Sequence, residues 1–248
     1  GLDDQGGVFV PPEILQRVIM REPTPTRVAG KVTTITTSRD RVSVPKTQYS
    51  SDDLYTTAFR ATWTGEVPSS STASDVDDTN LFGYTAMLSG SITNDMAEDS
   101  FFPLQGWMEN QFRTTDQLLR DNIVLNGTGR GQGNGALNNA GASDPTQPTV
   151  VLSGVSAGLS GDSIVDLPYQ VPEQYMDNCE WVLNRTNTER YIAKLKDSLN
   201  NYLFSSEWDN RGIANARPTD LVGFPICRSG FMPNIGASNY PILFGDLR

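Results

Sequence analysis

From Phe101 to Ile123 the apolar residues Leu104, Met108, Phe112, Leu119 and Ile123 recur at three-, four- or seven-residue intervals, and Trp107 and Leu118 widen the stripe. This spacing predicts one long amphipathic helix, a spine of roughly 35 Å at ~1.5 Å per residue. Ser100 is the expected cap, Pro103 falls in the first turn, and Asn126-Gly127 supplies a stop because both residues tolerate the left-handed conformation. A different period governs residues 55–88. Tyr55, Thr57, Phe59, Ala61 and Trp63 alternate with polar or small residues, and Phe82, Tyr84, Ala86 and Leu88 alternate again. Period two predicts strands, and the polar run VPSSSTASDVDDTN between them predicts the tip of a long hairpin. A two-stranded hairpin is marginal in water, so it is expected to lie on a second surface. A partner subunit is the economical candidate, and the chain's own domain is the alternative.

The remaining chain is punctuated by glycine and proline. GGVFVPPEILQRVIMREPTPTRVAG reads as an extended arm with one small helix carrying Ile14, Leu15, Val18 and Ile19, ended by Pro23 and Pro25. KVTTITTSRDRVSVP reads as strand, turn, strand, and SITNDMAEDS as one helical turn. After the spine comes the glycine-rich loop NGTGRGQGNGAL, expected to be a flexible connector. Loop territory follows, with strand-like TVVLSGVS inside it. VPEQYMDN reads as helix, CEWVLN as a short buried strand and NTERYIAKLKDSLNNYLF as helix, while LVGFPICRS and YPILFGDL read as strands. Strand alternating with helix in this stretch predicts a compact second subdomain.

Composition narrows the chemistry. The 248 residues are enough for a real core. A net charge of −10 argues against a reader of nucleic acid built on a basic face, so any DNA nearby is expected to be contacted weakly. The absence of histidine excludes Ser-His-Asp and Cys-His catalysis and the usual zinc sites. Cys179 and Cys227 fit no metal spacing and read as buried small hydrophobes in a reducing compartment. No apolar run is long enough to span a bilayer, and no signal peptide is recognisable. The start at Gly1 in place of Met is read as processing, truncation or a missing beginning.

Candidate chemical motifs fare poorly. Gly127, Gly129, Gly131, Gly133 and Gly135 invite a phosphate-binding reading, but no offset gives G-x-G-x-x-G, and the loop follows a helix where a cradle precedes one. Glu98, Asp99 and Glu109 read as a capping cluster and solvated face in preference to an acid/base pair. Asp75, Asp77 and Asp78 read as a solvated tip in preference to a calcium loop, and the sequons at Asn126 and Asn184 read as chance. No catalytic residue, cofactor or metal is expected, and the chain is not read as an enzyme.

A set of weak motifs in a fixed order says more. Gly6-Gly7-Val8-Phe9-Val10-Pro11-Pro12-Glu13, Trp63-Thr64-Gly65-Glu66, Leu125-Asn126-Gly127-Thr128-Gly129, Gly223-Phe224-Pro225 and Ile242-Leu243-Phe244-Gly245-Asp246 span nearly the whole chain. In this order they resemble the Hong Kong 97-like major capsid proteins of tailed bacteriophages. The resemblance implies an α+β Hong Kong 97-like capsid fold. It has an N-terminal arm (1–30), an extended β-hairpin loop (46–90) lying across a neighbour, a peripheral domain with the spine helix (31–45 and 91–136) and an axial domain (137–248). It further implies hexamers and pentamers of this chain closing an icosahedral shell around double-stranded DNA, assembled in a bacterial host's cytoplasm and resident in the virion. A scaffold with its maturation protease and a portal are the implied partners.

Inter-subunit contacts are then expected at Phe9, Pro11, Trp63, Gly65, Glu66, Phe82 and Tyr84, with a spine hinge at Gly127, Gly129 and Gly131. Two departures stand out. Thr62 to Leu88 contains no lysine, so the loop cross-link of some members is not expected. The strands that return to the peripheral domain after the Phe-Gly-Asp stretch are expected to be missing, because this chain stops at Arg248. The alternatives are an encapsulin-like nanocompartment shell and a β-rich surface-binding or adhesin module.

Overall fold

The computed structural model describes residues 27–47, 76–99, 103–138, 148–156, 158–200, 203 and 220–248. Its elements run β1 (Arg41–Thr47), β2 (Val76–Phe82), α1 (Asn94–Asp99), α2 (Leu104–Asn126), α3 (Gly161–Asp166), β3 (Glu180–Leu183), α4 (Arg190–Ile192), β4 (Asp220–Leu221), β5 (Phe224–Arg228) and β6 (Ile242–Gly245).

The apolar period yields the expected long helix: α2 is continuous for 23 residues. Its ends differ from expectation. The helix starts after Pro103, whose carbonyl accepts from Trp107 N–H at 3.2 Å, and Ser100 lies outside the described residues. The stop is not left-handed, since Gly127 has φ −55° and ψ 133°. Glycine is needed there for space. A Cβ at 127 would lie 2.7 Å from the Ile123 carbonyl oxygen and closer still to that of Gly133. The buried side of α2 is also displaced. Asp121 and Leu125 are fully buried on the flank of Trp107 and Leu118, whereas Met108, Phe112, Leu119 and Ile123 are only half-buried.

β1 and β2 form an antiparallel ribbon, with Arg41 opposite Phe82 and Thr47 opposite Val76. Strand, turn, strand within 31–45 is therefore corrected: residues 33–37 join no ladder, and the partner of β1 comes from far along the chain. Ser43 Oγ donates to Asp78 Oδ2 (2.8 Å), Arg41 Nε to Asn80 Oδ1 (2.9 Å), and the Arg41 guanidinium lies 5.5 Å from the Phe82 ring centre. These contacts set the register. Gly83 N–H donates to Asp40 O at 2.7 Å and closes the ladder, so residues 83–90 are not the strand that their alternation predicts. Residues 48–75, with the first arm of the predicted hairpin and most of its tip, lie outside the described residues; the end of the expected tip, Val76–Asn80, is corrected to strand, because it pairs with Ser43–Thr47 in the ladder.

The second unit is a four-stranded sheet in the order β4-β5-β3-β6, with β3 parallel to β5 and antiparallel to β6. All four residues of β3 are buried, which explains why Trp181, Val182 and Leu183 are apolar in succession without alternation, and its one charged residue, Glu180, is paired with Lys31. Trp181 and Leu183 point to one face. There the Trp181 and Phe244 ring centres are 4.6 Å apart, and Leu159, Ile164, Cys179, Ile192 and Leu221 complete a core beneath α3 and α4. Trp181 Nε1 donates to Leu221 O at 2.8 Å. Val182 and Cys227 point to the opposite face and pack with Val28, Leu125, Leu137 and Met232. This second core joins the sheet to the end of α2.

Three further expectations are corrected. LVGFPICRS is a hairpin and not one strand: Val222 and Gly223 have φ 51° and 82° and fold β4 onto β5. NTERYIAKLKDSLNNYLF does not make a long helix. A π turn at Arg185–Glu189 runs into the short α4, and Leu203 N–H then returns to Leu195 O at 2.9 Å. VPEQYMDN adopts a 3-10 helix over Glu173–Asn178. Residues 148–153 are unladdered among the described residues and line one wall of a groove of about 540 Å³, opposite residues 235–243.

Candidate assembly surfaces

The chain N-terminal to β1 is tied to both units at residues 27–31, here called the arm root. Val28 N–H and Ala29 N–H donate to Asp121 Oδ1 at 3.0 and 2.7 Å, and Lys31 Nζ pairs with Glu180 Oε2 at the start of β3. Asp121 Oδ2 is buried without a hydrogen-bond partner among the described residues. A further tie fastens the end of α2 to the loop after β5, and two more fasten that loop to the chain after β3. Asn126 Nδ2 donates to Phe231 O (2.8 Å), Asn184 Nδ2 donates to Met232 O (3.3 Å), and Asn187 Oδ1 accepts from Ile235 N–H (2.9 Å). Behind that loop Arg228 grips Glu189 with two bonds of 2.7 and 2.8 Å, and both side chains are mostly buried. The Glu189 hydrogen bond, opposed by burial, raises the Arg228 pKa further above its ordinary value.

Sequence reading missed Asp121, Lys31, Glu180, Glu189 and Arg228. A signal existed for one of them. Asp121 stands three residues after Leu118 and four before Leu125, an acid on an apolar flank.

The glycine-rich run folds into a lobe sealed on the end of α2. Gly135 N–H donates to Gly127 O (2.8 Å), Ala136 to Val124 O (2.9 Å), Leu137 to Leu125 O (3.0 Å) and Gly129 to Gly133 O (3.2 Å). Asn138 Nδ2 reaches Thr128 O and Asn134 Oδ1 at 3.2 and 2.8 Å. Gly129 and Gly131 take positive φ at the tip, while Gly127 is buried at the base. The N–H groups of Gly129 and Gly135 point to the loop's own carbonyls and form no anion cradle.

Of the expected contact residues, Phe82 and Tyr84 are described, and both belong to an exposed run of chain with several apolar residues. They are 59% and 49% exposed, Leu81 is 44% and Met87 is 86%. Phe9, Pro11, Trp63, Gly65 and Glu66 lie outside the described residues. Leu88–Ile92 then runs beside α2 and encloses a groove of about 210 Å³ with Trp107, Met108 and Phe112.

The chemical candidates remain dispersed. Glu109 accepts from Gln105 at 3.2 Å on the solvated side of α2, and Asp78 bonds to Ser43 in the ribbon. Both oxygen and nitrogen of the Asn184 amide are engaged, by Thr186 and by Met232 O. Cys179 and Cys227 are buried, unpaired and divided between the two cores. Burial raises the pKa of both thiols. No described helix is long and apolar enough to cross a membrane.

Residues 6–248 match the model of the Phage capsid family. This chain belongs to that family. It is a structural major capsid protein of the bacteriophage virion, and neither the nanocompartment nor the adhesin alternative is favoured. Solved capsid structures share its mixed helix-and-sheet fold. The capsid of the native GTA particle matches at TM-score 0.82 with 19% identity over 99% of this chain and 82% of that chain. The capsid of the empty GTA particle matches at 0.79, also with 19% identity, over 98% and 80%. Microbacterium phage Oxtober96 matches at 0.54 with 18% identity over 98% and 77%. No curated protein matches this capsid protein.

Proposed function

We propose that this capsid protein assembles with copies of itself into pentamers and hexamers that close an icosahedral shell around double-stranded DNA, without catalysis or cofactor. The observation that carries the reading is the ribbon. β1 and β2 have no third strand among the described residues, yet they present Leu81 and Phe82 to solvent, followed by Tyr84 and Met87. A lone ribbon is marginal in water and an apolar strip is costly to leave wet. A neighbouring copy removes both problems, and obligate contacts of this kind bury upwards of about 2,000 Å² in total.

In this layout residues 1–30 are the arm, 46–90 the extended loop with Phe82 and Tyr84 at its base, 31–45 and 91–136 the peripheral domain with α2 as spine, and 137–248 the axial domain. The arm contacts are Phe9 and Pro11; those of the loop are Trp63, Gly65 and Glu66. The spine tilts at the glycine lobe, with Gly129 and Gly131 at its open tip and Gly127 at its root. The five-fold symmetry named for the GTA capsids supports the pentamer. At a net charge of −10 the inner surface touches packaged DNA weakly and without sequence preference. Assembly takes place in the host cytoplasm, with a scaffold, its maturation protease and a portal as partners.

Electron microscopy of the purified protein tests the reading: closed shells or capsomer rings are expected, and a uniform monomer at high concentration refutes it. Deleting Pro68–Asp75, beyond the ladder, tests the loop. Assembly is expected to fail while the thermal transition of the subunit persists; unchanged shells remove the contact assigned to the loop.

A further inference from the structure

The arm root is held differently from everything beneath it. Of residues 27–31 only Val28 is fully buried, against Cys227 and Leu125 in the second core. The other ties are the two N–H bonds to Asp121 and the Lys31–Glu180 pair, whose lysine is half exposed. Charge is divided between the two sides. The root contributes Arg27 and Lys31, the body contributes Asp121 and Glu180, and all four act on the Cys227 thiol. Asp121 is fully buried, yet the only hydrogen bonds of its side chain among the described residues go to the root, and Oδ2 has none. A segment held by one apolar plug and a few polar ties opens well before a sheet buried on both faces.

We infer that residues 27–31 are a latch that opens without unfolding the sheet, and that Asp121 is the positioning residue that fixes where the arm leaves the body. The inference rests on the reading of residues 1–30 as an assembly arm. Its test is nevertheless made on the unassembled subunit, so the two can fail separately.

The two cysteines supply the readout. Val28 shares a core with Cys227, and Arg27 and Lys31 of the root are near enough to act on its thiol, whereas Cys179 lies in the core on the other face of the sheet. Iodoacetamide is applied to the intact, unassembled chain, and the two sites are resolved by mass spectrometry. The latch predicts that Cys227 labels about tenfold or more faster than Cys179. Asp121→Asn is expected to raise the Cys227 rate about tenfold further, because a charged acceptor for two N–H groups is lost. Lys31→Gln, at a half-exposed pair, should raise it roughly two- to threefold and serves if Asp121→Asn does not fold. The Cys179 rate should stay constant in both variants.

Equal labelling of the two thiols in the parent chain overturns the latch, because it means that they are exposed by one global opening. A Cys227 rate unmoved by either variant overturns it too, as does acceleration of both sites together. Shells formed by the variants are scored separately by microscopy. A shifted labelling ratio with unaltered shells keeps the latch and removes the arm from assembly.

Discussion

Replacing Gly135 by alanine should damage this capsid protein far more than replacing Gly131, although both glycines belong to the same loop. At Gly135 a Cβ would lie 2.6 Å from the Leu125 carbonyl oxygen, and closer still to the Gly127 nitrogen. Neither atom is the end of a flexible side chain, so the backbone itself must move. The movement breaks or stretches three bonds that seal the lobe to α2: Gly135 to Gly127 O, Ala136 to Val124 O and Leu137 to Leu125 O, of 2.8, 2.9 and 3.0 Å. At ~1 kcal/mol net for each, the loss is about 3 kcal/mol, with overpacking adding to it. At Gly131 a Cβ meets nothing within 4 Å, and only the left-handed φ of 69° opposes alanine. That cost is ~1–2 kcal/mol. Urea unfolding of the unassembled subunit, with both variants compared at equal m-value, measures the difference. If Gly135→Ala is no more destabilising than Gly131→Ala, the lobe is not sealed as described and the run behaves as a loose connector.

Arg228→Ala should cost about 2–3 kcal/mol, because it strands the Glu189 carboxylate, whose side chain is 14% exposed, without its two-bond partner; denaturant unfolding reports it. Trp181→Phe should lower stability by ~2 kcal/mol, since it removes the Nε1 bond to Leu221 O and leaves space beside Phe244, whereas a change confined to intrinsic fluorescence would contradict that packing. The thiols give a pH dependence. Burial pushes Cys179 and Cys227 up, Asp246 adding at Cys179 and Lys31 partly opposing at Cys227. The folded chain therefore holds these protons longer than the unfolded one. Their contribution is complete below the ordinary thiol value of about 8.5 and falls as pH rises from there through the raised native values. A double Cys179→Ala, Cys227→Ala variant should lose melting temperature less steeply on the alkaline side than its parent does.

What the sequence reveals follows the range of the interactions. The long helix α2 is legible because a helix is made of local contacts and its period is carried by many residues. β3 is legible because a short strand covered on both faces carries apolar residues in succession, here Trp181, Val182 and Leu183. The partner of β1 is not legible, since pairing with β2 spans an intervening segment and depends on Arg41, Ser43, Asp78 and Asn80, which read alone as ordinary polar residues. The long helix expected after β3 fails for a local reason that composition hides. Asn184 takes Thr186 N–H and its hydroxyl, and the π turn that follows spends the helical register within α4. Of the candidate contact residues, Phe82 and Tyr84 are legible as members of an apolar run; their exposure is not, because period two marks a face without saying which side is wet. Asp121 is not legible because the recurrent apolar residues Met108 and Phe112 mark the side of α2 that proves half-buried, and not the flank that Asp121 shares with Leu125.

The fastening of the last turn of α2 makes the helix a lever. Leu125 and Asn126 fix that turn to the sheet unit, and the first turn stands some 35 Å away at ~1.5 Å per residue. A tilt of about 3° at the fastening moves the far end by roughly 2 Å over that length, a shift comparable to the play in a poorly packed contact. In a closed lattice such errors repeat from copy to copy and sum into curvature. The permissible slack around Leu125 is thus a manufacturing tolerance for the whole particle, and small core substitutions at this one joint should alter the size distribution of shells before they alter whether shells form.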